Sequence, residues 1–135
     1  MVTMMEFYSE LISTRVRAKD LQEILAIEAL PGLCASIDEV LSDHGDRGEV
    51  YCVWGQFDIA RELIRDGVRF TLPGCPNALA WTVTCEGEDS IVIHCAINKR
   101  QHEPEFVESI ECFVRDWAHG LTAKLAEAGT GGGDS

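Results

Sequence analysis

The chain has 135 residues, with 23 acidic side chains against 11 basic ones and a formal net charge of −12. Hydrophobic residues make up 46% and the mean hydropathy is zero, which is the composition of one soluble globular domain. No apolar run approaches the ~20 residues of a membrane span, and the N-terminus lacks the pattern of a secretory signal. The negative charge opposes binding to a phosphate backbone. We therefore expect a protein that binds neither membranes nor nucleic acids.

The six cysteines would suit three disulfides in a secreted domain. Most of them instead lie within apolar or periodic segments, where a reduced cysteine behaves as a small buried hydrophobe. No two cysteines have the Cys-x-x-Cys spacing that is typical of structural zinc sites. The sequence therefore predicts a reduced, cytoplasmic protein with no metal and no cofactor.

The N-terminal third is predicted to be helical. Apolar residues recur there at steps of three or four, as on one face of a helix: Met5, Tyr8, Leu11, Ile12 and Val16. A second helix would begin at Asp20, with Glu23 three residues on as in a capping box, and end at Pro31. Ser36 would open a short third helix that closes at Gly45.

The middle of the chain has the period of β-strands. Residues 50–59 are rich in β-branched and aromatic side chains, and residues 68–72 form a further strand. Asp66-Gly67 is a hairpin signal, although residues 60–65 suit either a strand or a helical turn. Residues 79–85 and 91–98 alternate cleanly on either side of a polar turn, which predicts a second hairpin.

The C-terminal helix has the clearest pattern. Pro104 suits its first turn, and apolar residues then follow at steps of three or four: Phe106, Ile110, Phe113, Trp117, Leu121 and Leu125. Together these patterns predict an α+β fold of N-terminal helices, a three- or four-stranded antiparallel sheet, and a long C-terminal amphipathic helix packed on one face. Residues 1–128 would form one domain, and the glycine-rich residues 129–135 a flexible tail.

The segment LPGCPNALAW, residues 72–81, holds Cys75 in a loop made rigid by two prolines. Such a thiol could act as a nucleophile or redox sensor, and the Cys-Pro pair is similar to the motif by which some regulatory proteins ligate haem iron. His94 and His102 could complete a metal or base constellation, with Trp54 as a wall. The simpler interpretation is a Pro-Gly turn that contains a cysteine, with two ordinary histidines.

Three arginines, Arg61, Arg65 and Arg69, lie four residues apart around the Asp-Gly turn. They would form a local basic patch for a small anion if the flanking segments pair as a hairpin. Solvated arginines at strand ends are the simpler alternative.

Two functional hypotheses follow. The first is a non-enzymatic interaction or regulatory module, adaptor- or chaperone-like, that binds a protein partner or itself. In size, acidity and terminal helix the chain is similar to small acidic secretion chaperones. Common catalytic signatures such as G-x-S-x-G and the P-loop are absent from the sequence, which makes an enzyme the less favoured class. The alternative is a small-ligand, haem or metal-binding protein, possibly thiol-dependent, centred on the Cys75 loop.

Overall fold

The computed structural model describes residues 4–12, 16–87, 89–98 and 102–134. These residues form a seven-stranded sheet in the order β1-β7-β6-β5-β4-β3-β2, and every neighbouring pair is antiparallel. The strands are β1 (Met4–Ile12), β2 (Ile37–Asp43), β3 (Arg47–Cys52), β4 (Gly55–Ile64), β5 (Gly67–Thr71), β6 (Ala80–Cys85) and β7 (Ser90–Asn98). The helices are α1 (Ala18–Ile24), α2 (Leu30–Leu33), which follows a 3-10 helix at Ile27–Ala29, and α3 (Pro104–Asp134).

The predicted three- or four-stranded sheet preceded by helices was wrong, because the sheet has seven strands and the first described element is the strand β1. Along β1, Met5, Phe7 and Leu11 pack against the core, whereas Tyr8 and Ile12 are exposed on the other face. Apolar residues on both faces of this strand gave the helical spacing that the sequence analysis followed. The two helices that do precede β2 are short.

Strand β2 replaces the short helix that was predicted from Ser36, and its irregular pairing with β3 explains the error. The register shifts between Ile37 and Glu39 and again between Val40 and Ser42. Each shift places an extra residue in the strand, which breaks the strict alternation of a strand. Apolar residues at 37, 40 and 41 then resemble the spacing of a helix.

The ambiguous residues 60–65 belong largely to β4, which ends at Ile64 and pairs there with Gly67 of β5. The turn of this hairpin is therefore Arg65-Asp66, one residue earlier than the Asp-Gly dipeptide suggests. Gly67 serves a different purpose: a Cβ at this position would lie 1.9 Å from the carbonyl oxygen of Val83. The close approach of β6 requires glycine here.

Helix α3 covers the inner face of the sheet, defined as the face that carries the buried residues. Its predicted stripe is buried at Ile110, Phe113, Trp117 and Leu121, against alternate residues of β6 and β7 that are also buried. Gly120 lets α3 approach α2, since a Cβ there would lie 2.0 Å from the carbonyl oxygen of Leu33. Among the described helices, none is long and apolar enough to cross a membrane. The flexible tail at residues 129–135 stays a prediction.

Candidate functional site

Four large aromatic side chains lie between the inner face and α3: Phe70, Trp81, Phe113 and Trp117. We call them the aromatic cluster. The Trp81 ring lies 5.3 Å from Phe70, 4.9 Å from Phe113 and 6.3 Å from Trp117, measured between ring centroids. Strands β5 and β6 place Phe70 opposite Trp81, while α3 supplies the other two rings. Burial of so much aromatic area makes this the centre of the hydrophobic core.

Two polar atoms in this cluster have no partner. Trp81 is 2% exposed and Trp117 is fully buried, and among the described residues the indole nitrogen of each has no hydrogen-bond acceptor. Trp54 differs, since its indole nitrogen donates to the hydroxyl of Ser109 at 2.8 Å. A buried donor without a partner costs about 1–3 kcal/mol, and buried polar groups in folded proteins are rarely left so. The two indoles therefore mark a position in the core that suits a hydrogen-bond acceptor.

The interior around these donors is uncharged. Among the residues that the structure describes, no charged side chain is buried in the core, and one further buried polar side-chain atom, Asn98 Oδ1, has no hydrogen-bond partner. Burying a charge without a partner is costly, so this space favours a neutral acceptor over an anion.

The Cys75 loop and His102 meet at one end of the sheet. The β5–β6 loop that contains Cys75 is bonded to the end of β7, where the Asn98 amide nitrogen donates to the carbonyl oxygen of Asn77 at 2.9 Å. The Asn98 side chain adds a contact of 3.4 Å to the carbonyl oxygen of Pro76. His102 in turn places Nε2 2.9 Å from the Asn98 carbonyl oxygen. Asn98 thus links the loop to the start of α3.

Trp54 lies in the β3–β4 turn at this same end of the sheet. It is half-buried, and its ring lies 6.3 Å from Phe106 and 5.1 Å from Phe113 on α3. Its contact with Phe113 connects this end of the molecule to the aromatic cluster.

Two buried thiols at this end, those of Cys52 and Cys95, are held in their protonated form. Burial is the main cause that raises the pKa of Cys95 to about 12, with a smaller contribution from Cys75. Burial is also the main cause that raises the pKa of Cys52, again with a smaller contribution from Cys75. Cys75 itself is partly buried and packs against the core. Within the described residues, no three His, Cys, Asp or Glu side chains are arranged to hold a metal ion.

His94 lies apart from Cys75 and His102, on the outer face of the sheet. Its Nε2 is 2.9 Å from Glu6 Oε1, and its ring stacks on Tyr8 with centroids 4.6 Å apart. Desolvation is the main cause that raises the pKa of Tyr8, and the charge of Glu6 is a second, smaller cause. The structure therefore brings together the Cys75 loop, His102 and Trp54 at one end, but places His94 elsewhere.

The three arginines do not form one patch. The Arg61 guanidinium lies on the inner side and donates to the carbonyl oxygens of Leu25, at 2.6 Å, and Gln22, at 2.5 Å, near the end of α1. Arg65 is exposed in the hairpin turn, and Arg69 is exposed on β5. Arg61 thus binds the backbone of its own chain.

Trp117 belongs to the predicted apolar stripe of α3 and Trp81 lies in a segment predicted to alternate, but the unpaired nitrogens of both were missed. The alternation of the strand and the apolar stripe of the helix predict that both side chains are buried, but neither pattern shows whether a buried indole has an acceptor. One signal was present in the sequence. Each tryptophan lies on a predicted apolar face, and a buried tryptophan usually needs a hydrogen-bond partner.

The sequence matches no protein-family model and no curated protein. Several solved structures are similar to it. The protein XoxI from Bacillus cereus aligns with a TM-score of 0.61 and 8% identity, over 93% of this chain and 96% of that chain. A START superfamily protein from Mycobacterium smegmatis aligns with a TM-score of 0.59 and 15% identity, over 93% of this chain and 98% of that chain. The chain has a START-like fold. At such identities the likeness concerns the fold alone.

Proposed function

We propose that this protein is a non-catalytic binding protein that holds a small, neutral molecule with an acceptor oxygen between the inner face of the sheet and α3. The observation that carries the proposal is the pair of buried indole nitrogens of Trp81 and Trp117, which have no acceptor in the part of the chain that the structure describes. A ketone, ester or ether oxygen placed between the two rings would accept from one or both.

The chemistry of the interior narrows the class of molecule. The aromatic cluster occupies much of the space under α3, with neighbouring ring centroids 4.9–6.3 Å apart, so the molecule would be small. Apolar and aromatic walls with a few placed polar groups are typical of ligand sites. The uncharged surroundings favour a neutral molecule over an acid or an amine.

The thiols favour binding over catalysis. A cysteine nucleophile acts as its thiolate, which requires a lowered pKa. Burial instead raises the pKa of Cys95 to about 12 and also raises that of Cys52. His94, a candidate base, faces Glu6 on the outer face of the sheet. Cys52 and Cys95 therefore do not suit a thiol-dependent reaction, and we propose simple binding.

The test uses the three tryptophans as separate NMR reporters. The full-length protein, labelled with 15N, is titrated with acetophenone, a small ketone, and with α-methylstyrene, which has the same shape without the oxygen. We expect acetophenone to move the indole signals of Trp81 and Trp117 in a saturable manner and to leave that of Trp54 in place, because Trp54 already donates to Ser109. The hydrocarbon should produce smaller shifts without the downfield movement of a new hydrogen bond.

Trp81→Phe and Trp117→Phe assign the signals and serve as matched variants, since each removes one donor and keeps an aromatic ring. Equal movement of all three indole signals, or equal responses to the ketone and the hydrocarbon, would contradict the proposal. Native mass spectrometry of gently purified protein provides a second readout, in which a bound neutral molecule is released on denaturation.

A further inference from the structure

A surface depression of about 470 Å³ lies between the α2–β2 connection, the end of β3 and α3. We call it the acidic groove. The side chains that matter for its chemistry come from all three elements: Ser36, Asp38, Tyr51, Val53, Cys112 and Asp116. It lies outside the aromatic cluster and involves none of the residues proposed to hold the interior ligand.

The groove exposes apolar surface that a soluble protein usually covers. Tyr51 is 48% exposed and lies near the end of β3, on the face opposite buried Val50 and Cys52. Val53 is 58% exposed and lies in the β3–β4 turn. Apolar side chains that line a concave surface and have a polar rim are typical of protein interaction sites.

The groove also carries carboxylates that no cation neutralises. The Ser36 hydroxyl donates to Asp116 Oδ2 at 2.6 Å and so fixes that carboxylate in the wall. The one ion pair among the described residues joins His94 to Glu6, so neither Asp116 nor Asp38 has a basic partner there. Arg115 directs its guanidinium towards the Cys112 sulfur, at 3.9 Å, and not towards either carboxylate. The groove therefore favours a positively charged occupant.

Charge also decides between the possible occupants. A second copy of this chain would bring another net charge of −12, and like charges across an interface cost free energy. A partner strand added along β2 is disfavoured because β2 carries two register shifts, which disturb an edge for strand pairing. The remaining candidate is a different, basic protein that contacts the groove through its side chains.

We propose that the acidic groove binds a short segment of another protein in which Lys or Arg side chains flank an apolar side chain. The cations would face Asp38 and Asp116, and the apolar side chain would lie against Tyr51 and Val53. This surface would give the protein an adaptor-like role in addition to the proposed interior ligand.

The experiment measures fluorescence anisotropy of a labelled, amidated peptide in which Lys alternates with Val and Leu. Its twin has Glu in place of every Lys. We expect saturable binding of the Lys peptide, weakened by added salt, and no binding of the Glu peptide. Val53→Ser and Asp38→Asn should each weaken binding about tenfold, because each removes one element of the groove.

Matched controls separate the groove from the general acidity of the chain. Leu63→Ser and Asp58→Asn make the same kinds of change at exposed positions of β4 outside the groove, and they should leave the affinity unchanged. Circular dichroism verifies that all four variants are folded. The proposal is overturned if the control variants weaken binding as much as the groove variants, or if both peptides bind equally. It is also overturned if sedimentation shows a dimer that Val53→Ser dissociates, since the occupant would then be a second copy.

Discussion

The indole nitrogen of Trp54 donates to the hydroxyl of Ser109 at 2.8 Å, and this bond connects the β3–β4 turn to α3. The same hydroxyl donates to the carbonyl oxygen of Phe106 at 2.5 Å, one turn earlier in the helix. Ser109 thus relays a tertiary contact into the backbone of α3, near the end of the sheet where the Cys75 loop and His102 also lie.

Ser109→Ala removes the acceptor of Trp54 and should lower the free energy of unfolding by about 0.5–1.5 kcal/mol, the usual net value of such a bond. The effect stays moderate because Trp54 is half-buried and its nitrogen can reach water. Urea unfolding followed by circular dichroism measures the change. Ser90→Ala is the control, since the Ser90 hydroxyl bonds to Glu10 in an exposed pair. An equal loss in both variants would refute the structural role of Ser109.

Gly120→Ala should destabilise the protein, because the new Cβ would lie 2.0 Å from the Leu33 carbonyl oxygen and force α3 away from α2. Overpacking of this kind costs about 1–3 kcal/mol, only partly offset by the better helix propensity of alanine. Gly32→Ala is the matched control in α2, where a Cβ meets nothing within 4 Å. Thermal unfolding of the two variants should differ clearly, and similar melting temperatures would show that α2 and α3 are not in close contact.

Stability should fall as the pH rises from 9 to 12, because burial raises the pKa of Cys34 and of Cys95 from 9.0 to about 12. In that range the unfolded chain releases these protons and the folded chain keeps them, so rising pH favours the unfolded state. Each thiol should contribute a slope of about 1.4 kcal/mol per pH unit. Urea unfolding at a series of pH values measures the slope.

Variants separate the contribution of these two thiols to the slope from the contribution of other groups that titrate above pH 9. Cys34→Ala and Cys95→Ala should each make the dependence on pH less steep, whatever they do to stability at pH 7. Slopes in both variants identical to that of the wild type would mean that the buried thiols do not hold their protons as described.

Arg61→Met should destabilise the protein by about 2 kcal/mol, because it removes charged hydrogen bonds to the carbonyl oxygens of Leu25 and Gln22 and keeps the aliphatic stem. Arg65→Met makes the same change at an exposed turn position and should stay within about 0.5 kcal/mol of the wild type. Differential scanning calorimetry compares the two. Equal effects would indicate that the guanidinium of Arg61 is not a fixed link between β4 and α1.

The strands and the helix that bury one regular face could be predicted from the sequence. β6, β7 and α3 each hide every second residue, or one stripe, and expose the rest. Strands β1 and β2 could not be predicted from the sequence, for two different reasons. β1 has exposed Tyr8 and Ile12 opposite its buried face, and β2 has two shifts of register that disturb its period.

The candidate site could be predicted only in part. Cys75, His94, His102 and Trp54 were grouped from the sequence, and the structure separates His94 from the other three. Which of these residues share one end depends on which ends of seven strands coincide, and local spacing does not carry that information. The unpaired nitrogens of Trp81 and Trp117 depend on the absence of an acceptor from every neighbouring element. Such an absence is a property of the packed core, not of any segment.

The pairing of β1 with β7 has a consequence for how the chain folds. Strands β2 to β7 each pair with their neighbours in sequence, so they can assemble through short connections. β1 must wait for β7, since Ile12 pairs with Ser90 and Met4 with Asn98. Closing so long a loop has a larger entropic cost than closing a hairpin, and distant contacts slow folding. During synthesis, Phe7 and Leu11 therefore stay without their partners until most of the chain has left the ribosome, a period in which this strand is open to aggregation or to a chaperone.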